Sequence, residues 1–267
     1  MSEQNVINKK KILVTKKKLK EDFHSLGLEP GMTIIVHSSL SSIGWVCGQE
    51  IAVVQALMEV ISPKGTIIMP AQTTNNSDPA TWENPPVPEE WWETIRQAMP
   101  AFDPNITPTY GMGRIAEAFR KFPGTKRSNH PAVSFSAWGK HASFITNNHA
   151  LHYPFGDQSP LARIYELNGY ILLLGVDYSR NTSMHLAEFL SKSKKEVTQH
   201  CALLQDGKRT WGEFKTLEDH ADIFNKIGKT YEKTYTVQNG LIGAAPSKLI
   251  KQRSLIDFTT QYLDEHI

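Results

Sequence analysis

The chain has 267 residues, 40% of them hydrophobic and 21% charged, with a formal net charge of +2. That composition supplies a sizeable core and excludes a disordered chain, while so small a charge gives no basis for nucleic-acid binding. No apolar run reaches the roughly 18 residues that cross a bilayer, Cys47 and Cys201 lack the spacing of a thiolate metal site or disulfide framework, and the lysine-rich start (Lys9, Lys10, Lys11, Lys16, Lys17, Lys18, Lys20) lacks the apolar stretch of a signal peptide, so a cytoplasmic protein is expected.

Thr15 is placed to cap a helix over 17–26, whose apolar positions Leu19, Phe23 and Leu26 recur at helical spacing. Pro30 and Gly31 stop it, and the β-branched run 32–36 (MTIIV) predicts a buried strand. Ile51, Val54, Met58 and Ile61 predict a second helix, ended at Pro63, and 66–69 (TIIM) a second strand. This helix–strand alternation predicts parallel pairing through crossover helices. Residues 72–109 break the rhythm with seven prolines and three tryptophans. They also carry Asp78, Glu83, Glu89, Glu90, Glu93 and Asp103 against one base, Arg96. A segment so long and irregular is expected to bind something or close over a site, and its acidity suits a polycationic ligand.

Helices are predicted at 113–122, around 139–147 and at 159–167, the last capped by Gly169. The run 170–176 (YILLLGV) is the strongest buried-strand signal, and a helix over 183–191 follows a short turn. Asp206-Gly207 predicts a hairpin turn, and 219–231 and 254–266 predict helices. With no repeat and no linker, residues 1–267 read as one domain.

Three stretches could carry chemistry. His37-Ser38-Ser39-Leu40-Ser41 lies at a strand's carboxyl end, where backbone N–H groups and hydroxyls can surround a phosphate or carbonyl. It is neither a P-loop nor a dinucleotide fingerprint, and no GxSxG elbow is present. Arg127-Ser128-Asn129-His130-Pro131 could hold a phosphate through the guanidinium. The stretch 181–188 (NTSMHLAE) begins beyond the carboxyl end of the strand 170–176, where open α/β sheets place active sites. His185 and Glu188, three apart, share a helix face, so the carboxylate can orient an imidazole that serves as a general base. No third ligand completes a metal site there.

Together, VHSSLSSIG (36–44), GTIIMPAQT (65–73), TPTYGMGRIAEAFR (107–120), RSNHPAVSF (127–135), the segment 156–188 and LIGAAPSKLI (241–250) resemble the aminoglycoside 3-N-acetyltransferases, or antibiotic N-acetyltransferases, of the Bacillus type, in the family's order. The resemblance implies an α/β fold of the family's own three-layer architecture around a largely parallel or mixed central sheet, and not the GNAT fold. It implies acetyl-CoA as cosubstrate, no metal, a polycationic amine acceptor, neither nucleic acid nor membrane as partner, and a homodimer. His37, Ser38, Ser39, Leu40, Ser41, Tyr110, Gly111, Arg127, Ser128 and Pro131 would bind the coenzyme, and His185 and Glu188 would carry the catalysis. The segment 72–109 would be an acceptor-facing insertion, with Asp78, Glu83 and Asp177 as acceptor contacts. Gln49 stands where many relatives have a second glycine. Other readings compatible with the residues are a hydrolase using Ser38, a CoA protein without aminoglycoside activity, an acetyltransferase acting on a cellular amine, and a metal-binding protein.

Overall fold

The computed structural model describes residues 3–10 and 12–267; Met1, Ser2, Lys11 and the side chains of Glu3, Gln4, Lys9 and Lys10 lie outside it. Helix α1 (Glu3–Lys10) precedes β1 (Leu13–Val14) and α2 (Lys16–Leu26). Thr15 caps α2 as its spacing predicts, its side chain accepting from the Lys18 N–H. Next come β2 (Thr33–Ser38), the short α3 (Leu40–Ile43), β3 (Trp45–Val46), α4 (Gln49–Ile61) and β4 (Thr66–Pro70). Gln49 opens α4 with φ 51°, a left-handed conformation that accounts for the glycine expected there.

The acidic, proline-rich segment is not wholly irregular: it holds two 3₁₀ turns and α5 (Trp92–Ala98). After it come α6 (Gly113–Arg120), β5 (Lys126–Arg127), β6 (Phe135–Gly139), α7 (Ala142–Thr146), α8 (Pro160–Glu166), β7 (Tyr170–Leu174) and α9 (His185–Leu190). Gly139 therefore closes a strand, and the helix predicted around 139–147 shrinks to α7. Helix α8 ends with Asn168, not Gly169, in the left-handed region (φ 51°), while the Gly169 N–H bonds the Ile164 carbonyl at 2.9 Å. The chain finishes with β8 (Glu196–Gln205), β9 (Lys208–Leu217), α10 (Phe224–Thr234), β10 (Gln238–Ile242), β11 (Ala245–Lys251) and α11 (Gln252–His266). Asp206 and Gly207, at φ 50° and 74°, make the expected turn between β8 and β9.

Seven strands form one sheet in the order β10-β11-β7-β2-β4-β6-β5. The central three, β7, β2 and β4, are parallel, and every outer pairing is antiparallel. Alternation along the central strands divides the core. Ile34, Val36, Ile67, Met69, Leu172 and Leu174 pack with α2, α4 and α6 on one face. Ile35, Ile68, Ile171 and Leu173 pack with α7 to α11 on the other. The result is three layers. Ile171 to Leu174 are all fully buried, each worth about 1.5–3 kcal/mol of transferred apolar surface.

This arrangement brings the carboxyl ends of β2 and β7 together. Register pairs His37 with Leu173 and Ser38 with Leu174. Gly175 then turns at φ 67°; a Cβ there would meet Ser42 Cβ at 2.5 Å, so only glycine lets the serine turn lie against the end of β7. The β8–β9 hairpin stands outside the sheet, seated by Cys201 and Phe214 against Ala132.

Candidate active site

His185 begins α9, following a 3₁₀ turn at Thr182–Met184 that Asn181 caps through its side-chain oxygen. One helical turn brings Glu188 beside it, with Oε2 2.9 Å from His185 Nδ1. Oε1 of the same carboxylate accepts the His220 N–H at 2.7 Å, fixing Glu188 from both sides. The imidazole is stacked on Phe155 (ring centroids 4.8 Å apart, planes 14° from parallel) and tilted against Phe224. Burial alone would lower its pKa, but the hydrogen bond and charge of Glu188, helped by Asp219, carry it above the ordinary histidine value. With Nδ1–H donated to the carboxylate, Nε2 keeps a lone pair for a substrate proton.

Two cavities meet at this histidine. The larger, of about 1340 Å³, is lined by the serine turn, by Gly111 to Ala116, by Gly175 to Asp177 and by Asn181, with Arg114, Arg180 and Lys248 at its edge. The smaller, of about 450 Å³, is lined by Asp78, Trp82, Tyr153, Phe155, Phe189 and His200 among others. Gln72, His185 and Asp219 border both. His185, Glu188 and Asp219 hold donor atoms within 4.8 Å of one another. A cation site needs at least such a trio, but here Nδ1 and Glu188 Oε2 are bonded to each other, so the group is a hydrogen-bonded imidazole–carboxylate pair with a second carboxylate beside it.

The residues expected to bind coenzyme divide in two. His37, Ser38, Ser39, Leu40, Ser41 and Gly111 line the larger cavity. Tyr110, Arg127, Ser128 and Pro131 line neither cavity. Tyr110 is half exposed. The Arg127 guanidinium lies over Phe102 and donates to the Ala71 and Thr107 carbonyls and to Ser134 Oγ, and burial pushes its pKa down to about 10. Ser128 is buried against His149 Nδ1 at 2.9 Å, and the Pro131 carbonyl accepts from Thr73 and Asn76. Three of these four thus tie loops together.

The acceptor candidates scatter similarly. Asp78 lines the smaller cavity, its carboxylate 2.7 Å from Arg96 Nη2; burial opposes ionisation there, but the Arg96 hydrogen bond and charge keep the carboxyl below its usual range. Asp177 lies on the larger cavity, bonded to Ser179 and Asn225. Glu83 is exposed and borders neither. From the segment 72–109, Gln72, Thr74, Ser77, Asp78, Thr81 and Trp82 face the smaller cavity. Asp219 is missed by sequence reasoning, since it follows the hairpin with no motif around it. Asn181 is noticed only as the start of the HxxE stretch.

The family model for aminoglycoside 3-N-acetyltransferase matches residues 35–264. The SPbeta prophage-derived aminoglycoside N(3′)-acetyltransferase-like protein YokD of Bacillus subtilis (strain 168) is 47% identical over 249 residues, 93% of this chain and 92% of that one. The crystal structure of YokD superposes with a TM-score of 0.96 over 98% of both chains, at 44% identity. AAC-IIIb, solved as a binary complex with CoASH, gives 0.85 at 28% identity over 96% of this chain and 98% of that one. AAC-VIa, solved bound to sisomicin, gives 0.84 at 29% identity over 94% and 97%. The chain belongs to the aminoglycoside 3-N-acetyltransferase family.

Proposed function

We propose that the protein transfers the acetyl group of acetyl-CoA directly to an amine, the 3-amino group of a 2-deoxystreptamine aminoglycoside, with His185 as general base. The observation that carries this reading is the position of His185, bordering both a cavity large enough for a long cosubstrate and a smaller one holding acidic and aromatic side chains. The relatives solved with CoASH and with sisomicin support assigning one cavity to each substrate. Arg114, Arg180 and Lys248 suit the phosphates of the coenzyme. Asp78, Glu188 and Asp219 suit an ammonium-bearing sugar, and the faces of Trp82, Tyr153 and Phe189 suit its rings.

An ammonium group cannot attack a thioester. The acceptor reacts as its neutral amine, the ammonium proton having first passed to solvent; His185 Nε2 takes the remaining proton as the nitrogen forms its bond to the carbonyl carbon, while Glu188 holds the ring and stabilises the imidazolium. The C–S bond then breaks, and the proton passes to the CoA thiolate. Proximity supplies much of the remaining acceleration, because both substrates lie against one base.

The test is thiol release from acetyl-CoA by the purified protein against a panel of aminoglycosides and cellular amines. His185→Ala is expected to lower kcat by roughly 100-fold or more with CoA affinity nearly unchanged. A fully active His185→Ala would remove the base. Release with cellular amines alone would move the acceptor away from aminoglycosides while leaving the chemistry in place.

A further inference from the structure

Acetyl transfer puts negative charge on the thioester oxygen, and donors must already wait there. The serine turn is the obvious source, yet much of its capacity is spent. Ser39 N–H donates to the Leu174 carbonyl, and Ser42 N–H to the Ser39 carbonyl. Ser42 Oγ lies 2.9 Å from Ser39 Oγ and 3.0 Å from the Gly175 carbonyl, and Ser39 Oγ lies 3.3 Å from Ser41 Oγ.

Two other groups carry buried nitrogens with no partner. His37 Nε2 and Asn181 Nδ2 are buried without a hydrogen-bond partner, and both residues line the larger cavity with His185. His37 is 6% exposed and Asn181 1%. Strand alternation turns His37 to the face of Ile35, the face on which α9 packs, and there it is near enough to His185 for that ring's charge to act on it. Asn181 lines the same cavity as the cap of the turn that ends at His185; its oxygen is committed to the Ser183 N–H, which leaves the amide NH₂ to act. A buried donor left without a partner is costly, so an oxygen delivered to it is drawn in.

We propose that His37 and Asn181 together form the oxyanion site, each donating an N–H to the thioester carbonyl oxygen through a small rotation of its ring or amide. This rests on the acetyl-transfer reading and deepens it. As the amine nitrogen bonds to the carbonyl carbon, the C=O π pair moves onto oxygen and is held by the two donors, which keep their protons. The pair returns as the C–S bond breaks and the CoA thiolate leaves. Burial pushes the His37 pKa down to about 3, with the His185 charge adding to the effect, so the ring stays neutral and can donate without becoming an acid that competes for the amine's proton.

Two measurements test the assignment together. The first is the infrared band of the thioester carbonyl in bound [1-¹³C]acetyl-CoA, which needs no acceptor. It is expected below its frequency in water for the natural protein, and back toward the free value in His37→Ala and Asn181→Asp. The second is kcat on the pH plateau, expected to fall roughly 100-fold in each variant with CoA binding within about three-fold of the natural protein. Asn181→Asp keeps the oxygen that caps the turn and puts a charged acceptor where the donor was, and His37→Gln, which restores an N–H, is expected to recover about ten-fold over His37→Ala. An unshifted carbonyl band in the natural protein, or a kcat within about three-fold in either donor-less variant, overturns the assignment. Failure to bind acetyl-CoA at all would overturn the parent reading, and this one with it.

Discussion

Two histidines in one cavity show how a single neighbour decides what an imidazole does. His37 and His185 are both well buried, and burial disfavours the charged form of each. His37 has no carboxylate and is driven down to about 3, whereas His185 has Glu188 at 2.9 Å and ends above its ordinary value. A general base works only when deprotonated, so activity should fall as pH drops through the raised His185 pKa. In Glu188→Gln the carboxylate's upward pull disappears and burial remains, so the acid limb of kcat/KM should move to lower pH and kcat should fall by roughly 10-fold or more. A pH profile of thiol release that leaves the limb in place would show that Glu188 does not set this pKa. His185 and Glu188 were legible in the sequence because the i, i+3 spacing itself brings them together. Asp219, Asn181 and the buried Nε2 of His37 were not, since their placement depends on how hairpin, turn and strand meet in three dimensions.

Among elements, the β8–β9 hairpin closes the smaller cavity, contributing Thr198, His200, Phe214 and Thr216 to its wall. It does so without joining the main sheet, and Asn76 is its principal latch. Asn76 Nδ2 donates to the carbonyls of Ala202 and Pro131 at 2.9 and 3.2 Å, and its Oδ1 accepts the Ala202 N–H at 2.9 Å. Asn76→Ala would leave the buried Ala202 N–H without its partner, while the Pro131 carbonyl keeps Thr73 Oγ1 and the Ala202 carbonyl keeps the Phe102 N–H, and should destabilise the fold by about 1–3 kcal/mol. It should also raise the KM for the acceptor more than that for acetyl-CoA, because the hairpin walls only the smaller cavity. Denaturant titration with initial rates would check both, and an unchanged acceptor KM would show that the hairpin does not shape that site. The hairpin was readable from Asp206-Gly207, as β7 was from its continuous apolar run. Strands β6, β10 and β11 were not: FSAWG and QNGLI have neither clean alternation nor an apolar run, and they pair only because β4 and β7 supply a ladder. Helix α5 was hidden among the prolines around it.

Taken whole, the molecule joins two unlike cavities at one imidazole, and that layout decides the order of chemical events. If both substrates must lie against His185 together, the acetyl group has no reason to rest on the protein. The chain also offers little to hold it there. Cys201 is buried, and burial pushes its thiol up to about 12, far from a nucleophilic thiolate at neutral pH. Cys47 lies outside the residues lining either cavity. Initial rates with both substrates varied should therefore give intersecting lines in double-reciprocal form, as a ternary complex requires. Acetyl-CoA labelled in its acetyl group should leave no stoichiometric label on the protein after denaturation. Parallel lines with trapped label would instead mean a covalent acyl-enzyme. The serine turn would then become the place to look for a nucleophile, and His185 would serve that serine before it served the amine.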